Sequence, residues 1–284
     1  MKRNLLFRLL ARLRVGRKLL LIYLLDLTAV VYISSILIHE KYIAIDFSNR
    51  EIVGNAYVRT VRDALVDVAL AGAGRPPSPF SFAHTAGDLA DAERQYGANM
   101  GSAALNERVR QSLMALAQHA HPDAAEVNDA LVACRELVTR VGNQSNLILD
   151  PDLDSYYSMS LAILRYPALL DSINRIGRQL HSKPQGAATH DEMRTRYLVL
   201  EGQLDAVLQG LRSDFAEASA ANHTLESALG PSVGQMRAAV EAYRSAAQKV
   251  VDNGGTVDPA LLDAVDATQQ NLIDRVQQVW SDTG

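Results

Sequence analysis

Residues 19–38 read LLLIYLLDLTAVVYISSILI, an almost unbroken apolar run with no polar face. At 1.5 Å per residue, twenty residues make about 30 Å of helix, the thickness of a bilayer's hydrocarbon core. Beyond it the pattern changes. Apolar residues now recur three and four apart, the mark of helices with one buried face. The first such series is Ile45, Ile52, Tyr57, Val61, Ala64, Leu65 and Val68, and AGAGRPPSPF stops it with glycines and prolines.

A second helix is predicted from about His84 to Gln118 through Leu89, Tyr96, Leu105, Val109, Leu113 and Leu116, weakened in its middle by Gly97, Asn99 and Gly101. A third starts near Ala124 and runs through Val127, Leu131, Cys134, Val138 and Val141. Pro151 then opens a helix at its first turn, with Asp150 as cap and Asp152 and Asp154 on the positive end of the dipole. That helix continues through Tyr157, Leu161, Leu164, Leu169, Ile173, Ile176 and Leu180, with a kink expected at Pro167. Met193, Tyr197, Leu200, Leu204, Leu208, Leu211 and Phe215 carry the next. GPSV marks a further start after Leu229, with Pro231 and Ser232 before MRAAVEAYRSAAQKVV. NGGTVDPA precedes the last helix, whose edge is Leu261, Val265, Thr268, Leu272, Val276 and Val279. No alternating run reads as a strand. The predicted fold class is all-α: an elongated antiparallel helical bundle, open to division into two stacked modules, preceded by one transmembrane helix.

Charge gives this arrangement an orientation. Lys2, Arg3, Arg8, Arg12, Arg14, Arg17 and Lys18 precede the apolar run with no acid among them. Cationic flanks stay in the cytoplasm, which divides the chain into a basic cytoplasmic segment (1–18), a transmembrane helix (19–38) and an exported helical domain (39–284). Asp26 inside the run costs about 2.5–3.5 kcal/mol on insertion scales, outweighed by Leu, Ile and Val at roughly 0.3–0.6 kcal/mol each. A cleaved signal peptide is disfavoured, because the run is long and SSILIHEKY lacks a small-x-small cleavage pattern. The whole chain carries −4, and without its N-terminal positives the remainder is near −11. Such a surface excludes nucleic acid as a partner, whose binding needs positive charge to displace counterions.

The candidate chemistry is sparse. One cysteine, Cys134, excludes an internal disulfide framework and a CxxC site, and its register makes it a buried small hydrophobe. Asp150, Asp152 and Asp154 fail the EF-hand spacing, since Ser155 stands where glycine is needed and Leu161 where glutamate is. His119, His121 and Asp123 read as a solvated turn. GAGR at 72–75 is a helix stop, and no GxSxG, HExxH or phosphate loop occurs. No catalytic residue, metal site or cofactor is therefore expected. Arg59, Arg62, Tyr156, Tyr157 and Arg165 form the candidate ligand set, because tyrosines and arginines inside a bundle can hold a small anion by ring contact and bidentate pairing.

RVGRKLLLIYLL (14–25), IAIDFSNREIVGNAYVRTVRDAL (43–65) and SNLILDPDLDSYYSMSLAILRYPALL (145–170) together resemble the N-terminal region of bacterial transmembrane signalling proteins: sensor histidine kinases, methyl-accepting chemotaxis proteins and membrane diguanylate cyclases. By that resemblance Asp150, Pro151, Asp152, Asp154, Tyr156, Tyr157, Arg165 and Pro167 occupy recurring positions. The resemblance covers roughly residues 14–220 and implies a single-pass inner-membrane sensor with a periplasmic helical domain. Its relatives continue into a second membrane helix and an output domain, neither of which these 284 residues contain. The partners expected are a second copy of the chain, with Asp26 as an intramembrane contact, and a small anionic ligand or a periplasmic protein. A membrane-tethered helical interaction protein without a small ligand is the alternative.

Overall fold

The computed structural model describes residues 14–75, 77–119, 122–148, 152–182, 189–253 and 258–283. All regular structure among them is helical. The helices are α1 (Val15–Gly72), α2 (Pro79–Tyr96), α3 (Ala103–Leu116), α4 (Ala124–Gln144), α5 (Leu153–Ser160), α6 (Tyr166–His181), α7 (Thr189–Ala221), α8 (His223–Asp252) and α9 (Pro259–Thr283). A 3₁₀ turn at Gly97–Asn99 follows α2, and a π turn at Leu161–Arg165 joins α5 to α6. Two compact units result, Met1–Arg50 and Glu51–Gly284.

In the first unit the apolar side chains from Leu19 to Ile38 are exposed, Leu20 at 66 % and Ile38 at 57 %. The helix is long and apolar enough to cross a membrane. Thr28 Oγ1 donates to the Leu24 carbonyl, so that hydroxyl is satisfied within the helix. Ile45 stands 56 % exposed here, and Ile52 stands 68 % exposed in the second unit. Both were expected on a buried face. The fully buried positions of α1 start only at Gly54 and Tyr57, with Val53 partly buried against the core just before them.

The second unit is an antiparallel bundle whose packing falls into two groups. α2, α3 and α4 pack in sequence; α5, α6, α7, α8 and α9 form the other. The Glu51–Gly72 part of α1 serves both. Tyr57 donates its hydroxyl to Glu93 and accepts from Asn106 Nδ2 at 2.7 Å, while Gly54 and Gly72 lie against Ser145 and Asn174. Ser102 also donates to Glu93 at 2.7 Å, so the Tyr57 and Ser102 hydroxyls and the Asn106 amide nitrogen are all paired in that knot. Burial and the adjacent Glu93 carboxylate push the Tyr57 hydroxyl's pKa up, which keeps it a donor.

Local chemistry explains where helices stop. The weakened middle of the helix expected over 84–118 is a complete break, since Gly101 adopts φ +55°, and its carbonyl accepts from Arg140 Nε at 3.2 Å. Asp123 starts α4 with a capping box closed by Glu126. Asp152, rather than Asp150, takes the N-cap position of α5, with extended angles before Leu153. Asp150 and Pro151 lie outside the described residues, as does His121. The break expected at Gly230–Ser232 falls instead at Asn222, whose side chain accepts from the Thr224 amide at 3.1 Å; Pro231 is accommodated inside α8. Pro167 produces a π turn just before it. A proline ring clashes with the carbonyl four residues back, and the wider turn relieves this, with the Tyr166 amide bonding to the Leu161 carbonyl. The extra residue also turns Leu164 outward, 44 % exposed, where a straight helix would have buried it.

Candidate functional site

The end of α1 is fastened by a reciprocal turn. Gly74 takes φ +73°, its amide bonding to the Ala71 carbonyl while the Arg75 amide reaches the Leu70 carbonyl. This is the stop that GAGR predicts. One face of α9 grips it at four-residue steps. Asp266 faces His181, Gln270 Nε2 donates to the Ala73 carbonyl at 2.7 Å, and Asp274 receives both arms of Arg75 at 2.6 and 3.2 Å. Beneath, two buried amides meet, Gln269 Nε2 donating to Asn174 Oδ1 at 3.4 Å. Gly72 and Gly177 leave them room, since a Cβ at either glycine would overlap an amide oxygen.

Here the end of α1, the start of α4, the end of α6 and α9 enclose a cavity of about 390 Å³. Its polar lining is Arg178, His181, Ser182 and Asp266. Arg178 Nη1 donates to the Ala124 carbonyl at 3.2 Å, whereas its Nε is buried without a partner. Desolvation lowers the pKa of that guanidinium. His181 Nδ1 lies 2.9 Å from the Gly177 carbonyl, which makes that nitrogen the donor, and Nε2 lies 3.2 Å from Asp266 Oδ1. The hydrogen bond to Asp266 is the main reason the His181 pKa is raised. Both nitrogens meet acceptors, so protonation of His181 is helped by its surroundings. Arg178, joined by His181 when that ring is protonated, suits the cavity to a small anion.

A larger groove of about 690 Å³ runs past Gly101, Arg135, Glu136 and Arg140, but its charges are engaged: Arg135 with Asp171 at 2.8 Å, Glu136 with Arg108 at 2.7 Å, Arg140 with the Gly101 carbonyl. The smaller cavity is therefore the better candidate. Among the described residues no three or more His, Cys, Asp or Glu side chains gather as metal ligands. Cys134 is fully buried, and burial pushes its thiol up to about 12, far from a reactive thiolate. His119 pairs with Glu126 at 3.0 Å.

The ligand set read from the sequence lies on α1, α5 and the π turn. Arg59 is exposed on α1, and Arg62 Nε contacts Asp63 at 2.9 Å. Tyr156 and Tyr157 meet edge to face, with centroids 5.1 Å apart. Arg165, in the π turn, forks onto Asp214 Oδ2 and Oδ1 at 2.6 and 3.4 Å, and Ser160 donates to the same carboxylate at 2.7 Å. Asp154 accepts from Asn222 Nδ2 at 3.0 Å, which lowers its pKa and ties the first turn of α5 to the cap of α8. Arg178, His181 and Asp266 carried no sequence signal, because 85 residues separate His181 from Asp266.

Titration tests the cavity pair. A histidine whose pKa rises on folding stabilises the fold fully below its unfolded value, 6.5, and that contribution vanishes as pH climbs through the folded value. His181→Gln is expected to lower the melting temperature near pH 5 and to change it little near pH 9, with a cost of no more than about 1 kcal/mol for so exposed a pair. Thermal melts of both proteins at the two pH values check this; an equal loss at both would assign the effect to packing.

No family model matches the chain, and no match was found among curated proteins or solved structures. The fold of the described residues defines a class: an all-helical module with one apolar helix near its N-terminus long enough to cross a membrane.

Proposed function

We propose that this chain is a membrane-tethered helical interaction module, its N-terminus cytoplasmic and residues 39–284 held outside the inner membrane. The observation that carries the reading is the uncovered apolar surface of residues 19–38. So large a contiguous apolar surface in water is unfavourable, and lipid covers it without any further protein. The basic residues before it support the orientation. What the tether presents is a bundle of packed helices, a surface suited to protein contact.

A second reading, a sensor for a small anionic ligand, is favoured by the cavity of Arg178, His181 and Asp266. Small displacements of packed helices carry signals of that kind. One set of measurements covers both readings. The chain should resist carbonate extraction from membranes, and a reporter fused after Gly284 should be active only outside the cytoplasm. Extraction, or activity of a cytoplasm-specific reporter, overturns the tether or its orientation. Melts with a panel of small anions then separate the readings. An upward shift abolished by Arg178→Gln favours the sensor, and no shift across the panel favours the interaction module.

A further inference from the structure

His181, at the end of α6, stands between two acceptors. Its Nδ1 lies 2.9 Å from the Gly177 carbonyl one turn back, and its Nε2 lies 3.2 Å from Asp266 Oδ1 on α9. A neutral imidazole carries one N–H and serves one of them, leaving a ring lone pair against the other. The imidazolium serves both. Asp266 in turn lies against the turn that ends α1, its Oδ2 3.6 Å from where a Cβ on Gly74 would stand. Around this contact the pairing is incomplete, since Gln269 Oε1 and Arg178 Nε are buried without partners. The seam between α6 and α9 is poorly secured at this level.

We propose that His181 and Asp266 form a proton-operated clasp, closed between α6 and α9 when the ring is charged and released when it is neutral, so that the mouth of the cavity opens as pH rises. The charges around the ring leave the response to this pair. Among the described residues lining the cavity, α9 brings the carboxylate of Asp266 and α6 itself brings Arg178. The end of α1 brings Arg75, already held by Asp274, and the start of α4 brings Glu126, taken up by His119 and the Asp123 amide. α7 and α8 bring Tyr197 and Tyr243, whose hydroxyls burial keeps protonated. The hydrogen bond to Asp266 raises the His181 pKa above 6.5, so the clasp is complete below that value and lost as pH climbs through the folded one. Protonation of histidines at packed interfaces is a general form of pH switch. On the tethered reading this domain lies outside the inner membrane, and the clasp reports the acidity there.

Hydrogen exchange of the detergent-solubilised full chain, followed by mass spectrometry at about pH 5.5 and about pH 8.5 and corrected for the intrinsic rate, tests the clasp. Segments 176–182 and 260–268 should lose protection at the higher pH while α3 keeps its own. The loss should be no more than about fivefold, because both side chains of the pair are partly exposed. His181→Gln and Asp266→Asn should each flatten the response. Protection that does not change with pH in the parent chain, or a change that survives in either variant, overturns the proposal. Nuclear magnetic resonance gives a second check, with the His181 ring assigned by its absence from His181→Gln; titration at or below 6.5 overturns the clasp as well. Neither measurement depends on membrane orientation. A flat exchange profile therefore strikes the clasp alone, whereas a cytoplasm-specific reporter signal after Gly284 removes only the compartment that the clasp reports.

Discussion

Asp214→Ala is expected to destabilise the bundle by about 3 kcal/mol, the low end of the range for breaking a buried pair by removing one partner. Asp214 is 6 % exposed and receives both Arg165 arms and the Ser160 hydroxyl. The substitution strands a guanidinium and a hydroxyl at the π turn, with Gly210 packed so closely that a Cβ there would overlap Arg165. About a third of the Arg165 side chain reaches solvent, which keeps the loss from the top of the range. The paired change Arg165→Met with Asp214→Leu should recover most of it, because it removes the stranded guanidinium and leaves only the Ser160 hydroxyl without its acceptor. Denaturant unfolding of the detergent-solubilised chain, run as a double-mutant cycle, measures the coupling. Additive losses would mean that the pair does not hold the π turn to α7.

Trp280→Ala should cost about 3–5 kcal/mol, the usual range for emptying a large aromatic site. Trp280 is 2 % exposed in α9 and packs on Tyr166, the ring centroids 5.7 Å apart. Tyr166 is itself fully buried, its hydroxyl 3.1 Å from Thr283 Oγ1 and pushed up to about 12 by burial. Removing the indole opens a void between α6 and α9 and loosens the contact that closes the second packing group. Trp280→Phe should retain most of the stability, since a ring still faces Tyr166. Far-ultraviolet circular dichroism follows both variants, because the substitutions remove the chain's single tryptophan. A loss below about 1 kcal/mol for the alanine variant would show that the site collapses onto its neighbours.

Periodicity and turn residues alone determined the helical class, the apolar run of 19–38, the buried faces of α4 and α9, the stop at GAGR and the burial of Cys134. These are local properties: a three- and four-residue spacing makes a face, and a glycine at φ +73° ends it, whatever lies nearby. Coverage is not local. Ile45 and Ile52 follow the same spacing as Tyr57 yet stand exposed, because a face is buried only where another helix arrives to cover it. Proline has the same dependence on context. Pro231 passes inside α8, while Pro167 widens its helix into a π turn that turns Leu164 out and brings Arg165 to Asp214. Arg165 looked like a ligand residue in sequence, and the partner that engages it is 49 residues away. The cavity of Arg178, His181 and Asp266 was invisible for that reason too. Charges in separate helices form a site only when tertiary packing brings them within a few ångströms, where desolvation and pairing shift their protonation, and no spacing along the chain records that distance.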